Sequence, residues 1–374
     1  MAPPDHGGGD RQERARRSAT LAEIAERAGV SKATASRVFA APGTAPAVSA
    51  AARRRVMKAA SELGWRPHRA ARTLSRRRSA LIGALMPGFG GGFIGPVMDG
   101  VAAVAERARY EVMFTRYGSA EADITRGLES LLEMRVEGVL LYPSSSVPIE
   151  GERVAQELHE VPCVLIDQAV SGLSLPLVTG DHVGGMRQVA RHLASLGHAR
   201  IGYLAGPSWN WTADLRLSAF RAALKDHGLQ LPDHYVTRYN WTWERAVTAA
   251  ERLLGSKTIP TAVATANDVG AGAVLQVARD MGLQVPGDLA VIGYGDTMLS
   301  HAWVPPLTTV RQAVEGLGEA ACRLLLHLME DPASQDRVPV PVLPTELVVR
   351  GSCGGIPAPA RAGSWGAEKP WDSR

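Results

Sequence analysis

Residues 20–38 read Thr-Leu-Ala-Glu-Ile-Ala-Glu-Arg-Ala-Gly-Val-Ser-Lys-Ala-Thr-Ala-Ser-Arg-Val. Thr20 and Glu23 have the spacing of a capping box, which starts a helix at Leu21. Leu21, Ile24, Ala25 and Ala28 then follow the i, i+3, i+4, i+7 stripe of a helix with one buried face. Gly29 supplies the left-handed residue that ends this helix, and Val30 folds back towards the core. Ser31 caps a second helix, whose polar residues Lys32, Thr34, Ser36 and Arg37 are of the types that bond bases and phosphates. Ala28, Ala33 and Ala35 are small enough to let the two helices approach closely. The pattern is that of a helix-turn-helix. An ordinary amphipathic helical hairpin would share it, so the flanking sequence has to decide.

Working outward, a third helix is expected from the cap Ser49 to Leu63, with Gly64 as its stop, which closes a three-helix core. The segment Trp65-Arg66-Pro67-His68-Arg69-Ala70-Ala71-Arg72-Thr73-Leu74-Ser75-Arg76-Arg77-Arg78 is basic and almost free of apolar residues. Residues 1–78 hold 17 Lys/Arg against 6 Asp/Glu, a net +11, whereas the whole chain is only +4, so the remaining 296 residues carry −7. A basic head on a mildly acidic body is the electrostatic footprint of a nucleic-acid binder.

With these marks in place the chain resembles the lac-repressor (LacI/GalR) family of bacterial transcription regulators over roughly residues 20–354. The resemblance rests on Thr20-Leu-Ala-Glu-Ile-Ala, Ala28-Gly-Val-Ser, Thr34, Ser36-Arg-Val, Val48-Ser49 and Leu63-Gly-Trp-Arg-Pro67 with Ala71 and Leu74. Downstream it rests on Leu196-Gly-His-Ala-Arg-Ile-Gly-Tyr-Leu-Ala-Gly206, Ala266-Asn-Asp268, Val285-Pro-Gly-Asp-Leu-Ala-Val-Ile-Gly-Tyr294 and Pro306-Leu-Thr-Thr-Val310. Two departures lie in the head: Ala40 stands where an Asn is common, and the stretch Ala41–Ala47 is longer by a few residues than is usual in the family. The resemblance implies a homodimer, with a tetramer as the alternative, on a palindromic double-stranded operator, one recognition helix per half-site. Lys32, Ala33 and Arg37 would face base edges, and Thr20, Ser31, Thr34 and Ser36 would meet the DNA backbone. Arg69, Ala71 and Leu74 would belong to a hinge helix in the minor groove, with Leu74 as a wedge at the central base step.

The expected organisation is a disordered tail over 1–17, a helix-turn-helix domain over 18–65, a hinge over 66–79, an effector-binding and dimerisation domain over 80–354, and a second disordered tail over 355–374. From residue 79 short apolar runs alternate with helical patterns, as in a doubly wound α/β protein. Two comparable βα sets imply two lobes, and such sheets bind ligands outside the carboxyl ends of their strands. The fold class is therefore an all-α helix-turn-helix head plus a two-lobed α/β core, periplasmic-binding-protein-like by resemblance, with the lobes interleaved in sequence. No run of eighteen apolar residues exists and the first 17 residues lack a hydrophobic segment, so neither a membrane span nor an ordinary secretory signal is expected. A cytoplasmic, nucleoid-associated location follows. Cys163, Cys322 and Cys353 have neither disulfide-framework nor metal-site spacing and read as buried thiols.

One motif points to another class. Gly90-Gly91-Gly92-Phe93-Ile94-Gly95 matches G-x-G-x-x-G between a strand and a helix, as a dinucleotide site would. The second strand ends in Thr115-Arg116-Tyr117 without the acidic residue that holds a ribose hydroxyl, though Arg116 suits a 2′-phosphate. An NADP-linked oxidoreductase using the Gly90–Gly95 loop is thus the alternative. No nucleophile elbow, zinc signature or P-loop accompanies it, so no catalytic constellation, metal or cofactor is expected. In the resemblance, the same loop borders a cleft for a sugar or sugar derivative, with Phe93 and Ile94 against ligand. Asp167 ends a strand facing that cleft. Arg216 matches the family's effector-binding arginine, and its planar fork suits vicinal hydroxyls or an anion. Trp241 falls where a stacking aromatic sits, Trp209 or Trp211 offers a second apolar face, and Asn267 can donate and accept at once. Asp268 is expected to cap a helix. Where relatives carry an acidic residue after the tyrosine, this chain has Gly295-Asp296. Either Asp296 turns inward in its place, or the effector is bulkier or more negative at that end.

Overall fold

The computed structural model describes residues 19–39, 48–65, 79–88, 92–118, 121–143, 149–159, 161–335 and 339–355. It divides into two compact units, residues 1–79 and 80–374. The expected hinge residues Arg69, Ala71 and Leu74, both tails and Gly90–Gly91 lie outside the described residues.

Among its described residues the first unit has three helices, α1 (Leu21–Ala28), α2 (Lys32–Val38) and α3 (Ala50–Glu62). Local chemistry sets each boundary. Thr20 Oγ1 accepts from the Glu23 amide at 3.3 Å while Glu23 Oε2 accepts from the Thr20 amide at 2.6 Å, the reciprocal capping box. Gly29 sits at φ 61° with nothing near an added Cβ, and the Val30 amide returns to the Ala25 carbonyl at 3.0 Å. Ser31 Oγ caps α2 through the Thr34 amide at 3.1 Å, and Ser49 Oγ caps α3 through the Ala52 amide at 3.2 Å. Ile24, Ala28, Ala35, Val38, Val56 and Ala59 form the buried centre, closed at one end by Phe39 against Trp65 with ring centroids 4.3 Å apart.

The second unit contains two six-stranded sheets. One uses β1 (Leu81–Met86), β2 (Glu111–Arg116), β3 (Gly138–Leu141), β4 (Cys163–Ile166), β5 (Leu177–Gly180) and β11 (Val342–Leu343), in the order β11-β5-β4-β3-β1-β2 and parallel throughout. The other uses β6 (Ile201–Ala205), β7 (Val236–Arg238), β8 (Ala262–Thr265), β9 (Ala290–Gly295), β10 (Thr308–Gln312) and β12 (Thr345–Val348), in the order β12-β10-β9-β8-β6-β7. Only the β10–β12 pairing in it is antiparallel. Central strands such as β3, β4 and β8 are wholly buried, as expected of parallel strands covered on both faces.

Helices α4 (Ile94–Arg107), α5 (Glu121–Glu133) and α6 (Gly151–Leu158) belong to the first lobe, and α8 (Trp211–Asp226), α9 (Trp243–Leu254), α10 (Asp268–Asp280) and the short α11 (Met298–Ala302) to the second. The chain crosses between lobes three times. It passes from β5 into α7 (His182–Ser195), which packs in the second core, and from β10 back into α12 (Val314–Glu330), which packs in the first. The last crossing is the step from β11 to β12. Helices α4 and α12 meet through glycines: a Cβ on Gly100 would lie 2.0 Å from the Glu315 carbonyl oxygen, and one on Gly318 would lie 1.9 Å from that of Val97. All three cysteines are buried free thiols. Burial pushes the Cys322 thiol up to about 11.

Candidate functional site

Helix α2 presents a two-faced surface. Ala35 and Val38 are buried, whereas Ser31, Lys32, Ala33, Ser36 and Arg37 are exposed and Thr34 is half-buried. Among the described residues neither Lys32 nor Arg37 has an acidic partner, while Arg27 pairs with Glu62 at 3.1 Å and Lys58 approaches it at 3.9 Å. Cations are therefore neutralised at the far end of α3 and left open on α2. Ser31 Oγ and Thr34 Oγ1 lie 2.9 Å apart, a hydroxyl pair at the helix start. Thr20 differs from the rest: its hydroxyl donates to Glu23 Oε2 at 3.0 Å, so the capping box already engages it.

In the second unit a cavity of about 400 Å³ opens between the two sheets. Its walls come from the carboxyl ends of parallel strands, where aligned strands leave a crevice for ligand. Residues following β1, β3 and β4 contribute Phe93 and Ile94, Tyr142, and Asp167 with Gln168. Residues following β6, β7 and β8 contribute Arg216 with Asn210, Trp241, and Asn267 with Asp268, and the ends of β9 and β10 add Tyr294, Gly295 and Gln312. Six of the seven ligand residues expected from sequence, Phe93, Ile94, Asp167, Arg216, Trp241 and Asn267, line it.

Arg216, 6 % exposed, is held by neutral groups only. Its Nη1 donates to the Ala266 carbonyl at 2.7 Å and its Nη2 to Gln312 Oε1 at 3.4 Å, and Cζ stands 3.8 Å from the centroid of the Tyr294 ring. Asp167 is 2 % exposed at φ 62°, an unusual conformation for a side chain other than glycine or asparagine. Its Oδ1 lies 3.1 Å from His182 Nε2, a contact short of full hydrogen-bond alignment. Burial works against the charge of this carboxyl; His182 and Arg216 outweigh it and hold Asp167 below the usual carboxylate range.

His182 joins the two lobes, and nothing in the sequence drew attention to it. Its Nδ1 faces Arg216 Nε at 3.4 Å and the Tyr294 hydroxyl at 2.9 Å. Arginine can only donate, so Nδ1 is the acceptor and Nε2 carries the proton, directed at Thr179 Oγ1 (3.2 Å) and Asp167. Burial, then the Arg216 guanidinium, lowers the His182 pKa and keeps the ring neutral. Gln168 Oε1, from the first lobe, accepts a short hydrogen bond from Asn210 Nδ2 of the second. Asn210 Oδ1 at the same time caps α8 through the Ala213 amide at 2.8 Å.

Trp241 is seated by Gly206, where a Cβ would come within 2.3 Å of the indole ring. It has φ 71°, meets Tyr239 edge-on at 5.3 Å and keeps a buried Nε1 without a partner among the described residues. Trp209 and Trp211 are not among the lining residues, and Trp209 is 50 % exposed. The helix cap proves to be Asn267, whose Oδ1 accepts from the Gly270 amide at 2.9 Å and from the Tyr239 hydroxyl, leaving its amide nitrogen for other contacts. Asp268 follows it, buried, with both oxygens occupied by Thr309 Oγ1 at 2.5 Å and by Thr297 N and Oγ1 at 2.8 and 3.1 Å. Burial raises its pKa.

Asp296 does not turn into the cavity. Its carboxylate accepts from Arg311 Nε at 2.6 Å, Arg350 Nη2 at 2.7 Å and Ser300 Oγ at 2.9 Å. Two guanidiniums anchor the carboxylate away from the cavity. They hold its pKa below the usual range although burial pushes the other way. Gly295 lines the cavity instead, at φ 135°, and the acidic residues in the lining are Asp167 from the opposite lobe and Asp268, whose oxygens are already bonded.

Residues 20–68 match the family described as bacterial regulatory proteins, lacI family, and residues 190–353 match the periplasmic binding protein-like domain. The chain is 33 % identical to the ribose operon repressor of Escherichia coli over 319 residues, covering 85 % of this chain and 96 % of that one. It is 30 % identical to the HTH-type transcriptional repressor CytR of Escherichia coli over 342 residues, covering 91 % and 98 %. Among solved structures, the lac repressor dimer bound to operator and the anti-inducer ONPF superposes with a TM-score of 0.80 at 29 % identity, covering 90 % of this chain and 99 % of that one. The CelR–cellobiose complex superposes at 0.66 with 29 % identity, covering 89 % and 99 %. With capped recognition helix, two-lobed cavity and near full-length relatives in agreement, the chain belongs to the lacI family of bacterial regulatory proteins, DNA-binding regulators of transcription.

Proposed function

We propose that this regulator is a repressor that binds a palindromic operator as a homodimer and responds to a neutral, polyhydroxylated sugar held in the cavity of its second unit. The observation that carries the effector reading is that one cavity is lined by Arg216, whose bonds among the described residues go to neutral partners, and by the buried Asp167, whose Oδ1 has only the misaligned His182 contact at 3.1 Å. A sugar hydroxyl donates to one and accepts from the other. The carboxylate and the guanidinium cancel in formal charge, which favours a neutral ligand over an anion. Phe93, Tyr142 and Trp241 supply aromatic surface of the kind on which sugar rings pack. A volume of about 400 Å³ is within the range of small-molecule sites. The relatives are repressors rather than oxidoreductases, so the nucleotide-linked enzyme is not carried further.

On DNA, Lys32, Ala33 and Arg37 would read base edges, with Ser31, Thr34 and Ser36 on phosphates, and Arg69, Ala71 and Leu74 would form a minor-groove hinge. No described helix is long and apolar enough to cross a membrane, and the regulator would act on chromosomal DNA in the cytoplasm. The test is calorimetric titration of ribose, cellobiose, other neutral sugars and sugar acids into wild type and Asp167→Asn. A neutral sugar should bind wild type and lose at least tenfold in affinity on Asp167→Asn. Binding of sugar acids alone, or no effect of the substitution, would overturn the reading.

A further inference from the structure

A second concavity lies on the other side of the Trp241–Tyr239 pair. It measures about 360 Å³ and sits between the loop after β6, the end of β7 and one face of α9. Trp209, Arg238, Asn240, Arg245, Thr248 and Arg252 carry its chemistry, and no carboxylate is among its lining residues. Arg245, Thr248 and Arg252 recur at helical spacing on one face of α9. Arg238 is pinned by its bonds to the Gly206 carbonyl at 3.0 Å and Asp214 Oδ1 at 3.2 Å. Arg245 and Arg252 form no ion pair among the described residues. Glu244 and Glu251, their neighbours in sequence, do not line the groove. Two unpaired guanidiniums beside a third repel one another until a multivalent anion bridges them. The half-exposed Trp209 adds a flat apolar face at the rim.

We propose that this groove is a second ligand site, for a phosphate monoester carried on a small ring. The phosphate bridges Arg245 and Arg252, Thr248 and Asn240 supply neutral hydrogen bonds, and the ring packs on Trp209. The site is wired to the first cavity. Trp209 immediately precedes Asn210, which bonds Gln168 across the lobes, and Tyr239 backs the groove while its hydroxyl bonds Asn267 and its ring supports Trp241. A ligand here can bias cavity closure without entering it.

The test uses the full chain and calorimetric titration with glucose 6-phosphate, adenosine monophosphate, inorganic phosphate, glucose and a random DNA duplex. At least one ester should bind more tightly than inorganic phosphate. Arg245→Gln/Arg252→Gln should weaken it at least tenfold and Trp209→Ala at least threefold, with melting temperatures unchanged because all three side chains are exposed. Arg216→Met should leave ester binding within threefold. Loss of ester binding on Arg216→Met would place the ester in the main cavity and overturn the proposal. Binding of inorganic phosphate as tight as that of the esters would do the same, as would the absence of ester binding. If only random DNA binds the groove and the double variant weakens that, the surface serves nucleic acid instead, which also contradicts the proposal.

Discussion

Arg216 and Asp167 face one another across a neutral histidine, and each expects something different from a ligand. Removing the guanidinium by Arg216→Met should weaken effector binding by about 2–5 kcal/mol, because it strips a buried charged partner. Operator affinity without effector should stay within threefold of wild type, which anisotropy would check. His182 gives a pH signature. Its folded-state pKa lies below the ordinary histidine value, so the unfolded chain binds more protons under mildly acidic conditions. Its contribution is fully present at neutral pH and is lost as pH falls through the unfolded value towards the folded one. The melting temperature should therefore drop between pH 7 and 5.5, and His182→Gln should flatten that slope. Asp268, shifted upward, titrates with the opposite sign, so the comparison with His182→Gln isolates the histidine. Identical slopes in the two proteins would contradict the assignment. The sequence could not show His182, since one histidine after a capping aspartate carries no pattern, and its role depends on residues 112 positions away. Asp296 misled for a related reason: its partners Arg311 and Arg350 are remote in sequence and adjacent in space.

Elements whose boundaries are written in local chemistry were legible. The helices of the first unit begin at Thr20, Ser31 and Ser49 and two of them end before Gly29 and Gly64, all readable without tertiary context. Strands β1, β3, β6, β8 and β9 are short apolar runs, legible as such in the sequence. By contrast β5, β7, β11 and β12 are two to four residues long, and lie at or near sheet edges where pairing rather than composition defines them. Helix α12 is the segment that returns the chain to the first lobe and so makes the domain discontinuous. Its tight seat on α4 gives a sharp test. Gly318→Val would drive a side chain into the Val97 carbonyl and should destabilise the second unit by about 3 kcal/mol or more. Gly29→Ala meets no neighbour, so its cost is the left-handed backbone alone, about 1–2 kcal/mol. Differential scanning calorimetry of each variant would show which transition moves.

The whole molecule carries a DNA-reading unit and a ligand-binding one in a single chain. Arg37→Ala should cost about 1–3 kcal/mol on the preferred operator and relax base choice at one position, whereas a phosphate contact would weaken all sequences alike. Leu74→Ala, in the basic segment outside the described residues, should reduce operator bending and specific affinity with little loss on random DNA, read by circular-permutation gels. The measurement that bears most directly on the central claim is operator anisotropy. Palindromic DNA selected from a random pool is titrated with wild type and Arg216→Met, each with and without a panel of neutral sugars at millimolar concentration. At least one sugar should shift the wild-type operator Kd tenfold or more, and Arg216→Met should bind operator normally but ignore that sugar. A wild-type operator affinity that no sugar alters, or a variant that responds as wild type does, would contradict that claim.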